Sequence, residues 1–287
     1  MIRCKVRIPL KRYTKDILVY INAVSHVKMR EIPILIYHAL FDQHQNKEKY
    51  AIHKDAFEAQ MRYLYDQGIL TLSLDALCDP LQHGDGKRGV VITFDDGNES
   101  DYTLATPILK KYGLTAVFFV IVSRVGQKDY VNWDQLAKMQ SDGMSIQSHS
   151  LTHPYLSALS ADALYLELHG SKEGIEKKLP QSVLFLAIPG GFFSDDVLRM
   201  ASVIGYRGVC TSVPGMIRLD SKEKAFYVWN RFTITGVTSF SDFTALLHGD
   251  RRYVALCETT YFFKNIAKRL LGGSVYRAVW SKFFKNR

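Results

Sequence analysis

The chain has 287 residues, 47% of them hydrophobic and 23% charged, with a formal net charge of +9. That length buries a sizeable core in one large α/β domain or two smaller ones, and the composition is that of an ordinary globular protein rather than a disordered or fibrous one. No stretch reaches the roughly 20 apolar residues of a membrane span, and Cys4, Cys78, Cys210 and Cys257 form no CxxC pair, which argues against a disulfide scaffold or a structural zinc finger.

Residues 1–30 read as a basic extension with eight Lys/Arg against one acid, and residues 251–287 as a second with nine against one, so the central part of the chain is net acidic. The first extension never settles into the apolar core and small-residue cleavage site of a secretory signal, so the expected location is cytoplasmic. A single domain is expected over 31–250. In it, short β-branched or aromatic runs predict strands at Ile34–Tyr37, Val90–Phe94, Ala116–Val122, Met144–Gln147, Val183–Ala187, Gly208–Thr211 and Val228–Ile234. Helical spacing falls between them, at Ala56–Gln67, Asp101–Tyr112, Trp133–Ser141 and Ala161–Leu179. This alternation predicts βα units around a mainly parallel sheet or barrel. Chemistry in such folds collects at the C-terminal strand ends.

Two strand ends carry suitable residues. The run Val90–Phe94 delivers Asp95 and Asp96 onto Gly97, and adjacent side chains of a strand point to opposite faces. After Met144-Ser145-Ile146 comes His149-Ser150-Leu151-Thr152-His153-Pro154, where two histidines four apart are expected to meet on one face of a helical turn. One Asp and two His suit Zn²⁺ or another first-row metal with positions left for water and substrate. The paired carboxylates then make sense: one ligates the metal and its neighbour, facing the other way, acts as a base on water.

Thr93-Phe94-Asp95-Asp96-Gly97 and His149–Pro154 together resemble the first two motifs of the NodB homology domain, the polysaccharide deacetylases of carbohydrate esterase family four, over about residues 31–250. The resemblance implies a distorted (β/α) barrel and a metal-dependent hydrolase that removes N-acetyl groups from sugars. Carried over by residue, Asp95 resembles the catalytic base, while Asp96, His149 and His153 resemble the metal ligands, with Zn²⁺ expected and Co²⁺ or Ni²⁺ as alternatives. Phe185-Leu186-Ala187-Ile188-Pro189-Gly190-Gly191 stands where the third motif belongs, but Ala187 replaces its Arg and Gly190 its aromatic residue. The Pro189-Gly190-Gly191 turn is expected to offer backbone N–H groups to a developing oxyanion. Arg231 is the expected substitute arginine, grouped with Trp133 and this turn among the substrate-site positions. Trp133 resembles the fourth-motif aromatic that walls the acetyl pocket, although a helix residue packed into the core fits equally well.

Leu246-Leu247-His248 matches the letters of the fifth motif, which supplies the general acid, yet it closes a helical stretch at Phe240–Leu247, where His suits a C-terminus. His38 is the preferred acid. Ile32–His38 is a buried strand ending in Tyr-His, the pattern of the branch that acts on β-1,6-linked poly-N-acetylglucosamine. Expected partners are an N-acetylated glycan or glycolipid and, through the basic ends, an anionic membrane surface; nucleic acid is not expected. In Ser274–Arg287 the apolar residues Val275, Tyr276, Val279, Trp280, Phe283 and Phe284 form one helical stripe flanked by cations, which fits a membrane interface or packing on the barrel. Rival readings are a non-sugar amide hydrolase on the same fold and a catalytically weak, membrane-held glycan-binding module.

Overall fold

The computed structural model describes residues 31–42, 50–79, 89–218, 224–264 and 266. It opens with β1 (Glu31–Ile32), β2 (Ile34–Tyr37), β3 (Leu40–Phe41), β4 (Ile52–His53), α1 (Lys54–Asp66), β5 (Leu70–Thr71), α2 (Leu74–Cys78) and β6 (Gly89–Asp96). A π turn over Asp101–Ala105 leads into α3 (Thr106–Lys111). Strands and helices then alternate through β7 (Val117–Val120), α4 (Trp133–Ser141), β8 (Ser145–Ser148), α5 (Ala161–Glu176), β9 (Phe185–Ala187), α6 (Asp195–Ile204) and β10 (Gly208–Cys210). After β11 (Ile217–Arg218), β12 (Tyr227–Trp229), β13 (Phe232–Thr233) and α7 (Phe240–Leu247), residues 251–264 are also helical.

The main sheet has the order β12-β10-β9-β8-β7-β6-β2-β13, with every pair parallel and β5 beside β6. β12 and β13 stand at opposite ends of this order, yet only Asn230 and Arg231 separate them in sequence. Three residue steps reach at most about 11 Å, so the sheet curls until its ends approach each other. This is the distorted (β/α) barrel, and Arg231 sits at its seam. The single strand expected over Val228–Ile234 is therefore two, broken where the chain crosses from one sheet end to the other.

Side-chain alternation divides two cores. Val90, Ile92 and Phe94 of β6 face outward and pack with Phe57, Met61 and Leu109 of the helical layer. Val91, together with Val117, Phe119, Ala187 and Trp229, lines the barrel interior. Continuing the pattern, Thr93 and Asp95 point inward, and the polar end of β6 enters the barrel mouth.

The sequence placed α4 at its observed bounds, and the structure supplies the reason for its start: Asn132 and Gln135 form a reciprocal capping box. It missed α6, although Ser194 caps the N-terminus and Gly205, in the left-handed region at φ 93°, closes the other end. The basic arm 1–30 and the amphipathic stripe of 274–287 lie outside the described residues.

Candidate active site

Asp95 is 3% exposed, and Arg231 is completely buried beside it. Arg231 Nη1 donates to Asp95 Oδ1 and Nη2 to Oδ2, each at 2.8 Å, a parallel two-bond fork. The fork is itself held: Arg231 Nε donates to the Thr211 carbonyl at 2.9 Å and Nη1 to Thr93 Oγ1 at 3.0 Å, while Thr93 Oγ1 donates to the Leu35 carbonyl at 2.7 Å. Burial alone would push the Asp95 carboxyl up, but the Arg231 guanidinium, helped by His149, outweighs it and lowers the group to about 2. Asp95 is thus anionic at any ordinary pH. Arg231 thus makes the contact expected of a substitute for the third-motif arginine, which pairs with the base; its grouping with the substrate-site positions is corrected, because full burial behind Asp95 leaves it no surface for substrate.

Asp96 does not continue the strand's alternation. Its φ of 82° turns the chain, and Gly97 follows at φ 76° packed against Val120, where a Cβ would lie 3.1 Å from the Val120 side chain. The turn swings Asp96 Oδ1 to 3.6 Å from both His149 Nε2 and His153 Nε2. These separations exceed a hydrogen bond and match neighbouring ligands of one ion, since bonds of 2.0–2.2 Å in tetrahedral array put donor atoms about 3.4 Å apart. One ligating atom from each of the three residues lies within 4.8 Å of the others. His149 Nδ1 donates to the Ala187 carbonyl at 2.9 Å, which fixes the tautomer and leaves the Nε2 lone pair directed at the cluster.

The loop between the two histidines is not the helical turn expected from their spacing. Ser150 and His153 both adopt left-handed backbone, φ 66° and 69°, and Glu167 of α5 clamps the intervening residues. The Leu151 and Thr152 amides donate to Glu167 Oε2 at 3.0 and 2.9 Å, and Thr152 Oγ1 to Oε1 at 2.5 Å. Ser150 Oγ accepts from the His153 amide at 2.9 Å. Side-chain and amide bonds, not a helix, bring the i and i+4 rings to 4.8 Å between centroids.

His38 follows β2, adjacent to β6 in the sheet, and stacks on Tyr50 at 5.0 Å. Burial lowers its pKa, opposed by the Asp95 and Asp96 carboxylates. Its Nδ1 is buried without a hydrogen-bond partner among the described residues. His248 caps α7 and is hydrogen-bonded through Nε2 to Tyr63 of α1 at 3.0 Å, on the helical layer. Trp133 opens α4, half-buried, and packs against the outer core. In the third-motif turn Gly190 and Gly191 have φ of 64° and 72°, and the Gly191 amide donates to the Ile188 carbonyl at 3.0 Å. That commits one of the two glycine donors expected for an oxyanion.

Four contributors escaped the sequence: Thr93, which braces Arg231; the Ala187 carbonyl; Glu167; and Asp101, a fully buried carboxyl that burial and then the Asp96 and Asp95 charges push well up. Backbone carbonyls and clamps from a neighbouring helix leave no residue-type signal.

Residues 82–209 match the family model described as polysaccharide deacetylase, a stretch that includes both motifs but neither His38 nor Arg231. The chain is 30% identical over 222 residues to YxkH of Bacillus subtilis (strain 168), a protein named for the same family, covering 77% of each chain. It is 28% identical over 182 residues to the poly-beta-1,6-N-acetyl-D-glucosamine N-deacetylase of Staphylococcus aureus (strain MRSA252), covering 58% of this chain and 63% of that enzyme, less than two thirds of its length. Among solved structures, the Streptococcus pyogenes deacetylase PplD, in complex with acetate, superposes with a TM-score of 0.69 at 28% identity over 76% of this chain and 99% of that one. The chain belongs to the polysaccharide deacetylase family and has its NodB-type fold.

Proposed function

We propose that this protein hydrolyses the N-acetyl group of an N-acetylglucosamine-containing glycan or glycolipid with the help of one divalent metal ion. The observation that carries the reading is the convergence of Asp96, His149 and His153 beside an Asp95 locked by Arg231. The donor set, two imidazoles and one carboxylate, fits Zn²⁺, with Co²⁺ or Ni²⁺ as alternatives. The name of the Staphylococcus aureus relative supports an N-acetylglucosamine substrate.

When bound, the metal supplies Lewis acidity and makes water acidic near neutral pH. The chain's own residues do the rest. Asp95, held ionised by Arg231, orients the attacking water and takes its proton. The Gly190 turn offers a backbone amide to the oxyanion. His38, whose pKa burial lowers against the opposing pull of the Asp95 and Asp96 carboxylates, gives a proton to the departing amine. A C–O bond forms, the amide C–N bond breaks, and acetate and a free amino sugar leave.

Acetate release from chito-oligosaccharides and β-1,6-linked N-acetylglucosamine oligomers tests this directly. Release by the wild type that drops by at least about 10² in Asp95→Asn is expected; equal release by the variant would remove Asp95 from the chemistry.

Peripheral membrane association is part of the proposal. The 251–264 helix exposes Leu256, Phe262 and Phe263 within the Lys/Arg-rich C-terminal segment, a combination that suits an anionic lipid interface. No helix among the described residues is long and apolar enough to cross a membrane. Co-sedimentation with anionic but not neutral vesicles is expected, and equal recovery with both would contradict it.

A further inference from the structure

Beyond the residues that do the chemistry, the loops after β8 and β9 expose three large aromatic side chains: Tyr155 at 57%, Phe192 at 39% and Phe193 at 38%. Exposed apolar residues scattered singly need no explanation, but a touching group at the mouth of a site does. Tyr155 and Phe192 meet edge to face with centroids 5.6 Å apart and planes at 89°. Both are tied to the metal-ligand cluster through the chain. Tyr155 lies two residues beyond His153, its Cα within about 7 Å of that residue's, and Phe192 ends the turn that begins just after Ala187, whose carbonyl holds His149.

The Tyr155 ring is also pre-positioned. A Cβ at Gly190 would stand 2.8 Å from Tyr155 Cε1, so the ring rests directly on the glycine backbone, and φ of 64° at that position disfavours any other residue. A cushioned, rigid aromatic surface offers contact area at low entropic cost. It suits a flat ligand with an apolar face, and the C–H faces of a pyranose ring are such a ligand. With the acetamido group being cleaved at Asp96, His149 and His153, an exposed ring that packs on Gly190 and Phe192 rather than on those three residues is available to a neighbouring unit.

We propose that Tyr155 and Phe192 form an aromatic shelf that stacks on the sugar next to the one being deacetylated, and so select an oligosaccharide over a single N-acetylated sugar. The inference rests on the glycan reading above. The test uses the zinc-loaded full chain and compares kcat/KM for an N-acetylglucosamine pentamer and for the monosaccharide in the wild type, Tyr155→Leu, Phe192→Leu and Tyr155→Phe. The leucines keep bulk, and one zinc per chain confirms each fold. Pentamer binding to the same substitutions made in the Asp95→Asn protein, followed by calorimetry, gives a readout independent of turnover. The expected result is a pentamer-to-monomer ratio lowered roughly tenfold by each leucine, weaker pentamer binding, and recovery of both in Tyr155→Phe. A wild-type ratio and wild-type pentamer affinity in both leucine variants would overturn the shelf while leaving the deacetylase reading intact. If the wild type releases acetate from neither sugar, the glycan reading fails and the shelf falls with it.

Discussion

At the scale of single residues, Asp95 is a charge that the fold buries almost completely and balances with one partner. Removing one member of a buried ion pair typically costs about 3–5 kcal/mol, because the other is left charged and unpaired. Arg231→Met is expected to destabilise by that order and to lower kcat by about 10² or more, measured by urea unfolding and acetate release. The pH dependence distinguishes this from simple cavity formation. In the wild type the Asp95 carboxyl falls from its ordinary 3.8 to about 2, so the pair's contribution is complete above about 3.8 and is lost as pH falls toward 2. Without Arg231, burial raises the carboxyl against only the weaker pull of His149 and His38. The variant then carries a penalty at neutral pH that acidification relieves, and its remaining activity moves to higher pH. A variant with wild-type stability and pH profile would contradict the account.

That Asp96, His149 and His153 would gather in one place was legible because strand ends and i, i+4 spacing are local patterns. Their geometry was not. A helical turn and a loop with two left-handed residues both bring His149 and His153 together, and spacing alone does not separate them. Asp96 is similar: alternation sends it to the opposite face from Asp95, and only its φ of 82° directs it to the histidines.

Among the elements, the strand runs were readable from β-branched and aromatic content and α6 was missed despite its Ser194 and Gly205 caps, whereas the break at Asn230–Arg231 was not readable, since a crossing of the sheet seam leaves no mark in periodicity. The loop of residues 149–154 shows how one element shapes another. Glu167 on α5 uses both carboxylate oxygens to hold Leu151 and Thr152, so the histidine spacing depends on a helix outside the motif. Glu167→Ala is expected to weaken metal binding by about tenfold to a hundredfold, read by calorimetric titration with Zn²⁺, while α5, capped by Ser160, persists in circular dichroism. Unchanged zinc affinity would show that the left-handed backbone holds the loop unaided.

At the scale of the whole molecule, the curled sheet puts the ends of β2, β6 and β8 and the seam residue Arg231 around one mouth. Parallel βα units were legible from alternation, and barrel closure only from the family resemblance, because nothing local encodes which strands become neighbours. Metal-dependent deacetylation at this mouth is the function we propose. It is tested most directly by stripping the protein with a chelator and following acetate release from an N-acetylglucosamine oligomer as Zn²⁺ is returned. Negligible release from the stripped protein, full recovery at one equivalent, and no recovery in His149→Ala are expected. Undiminished release after stripping, or equal recovery in His149→Ala, would contradict it.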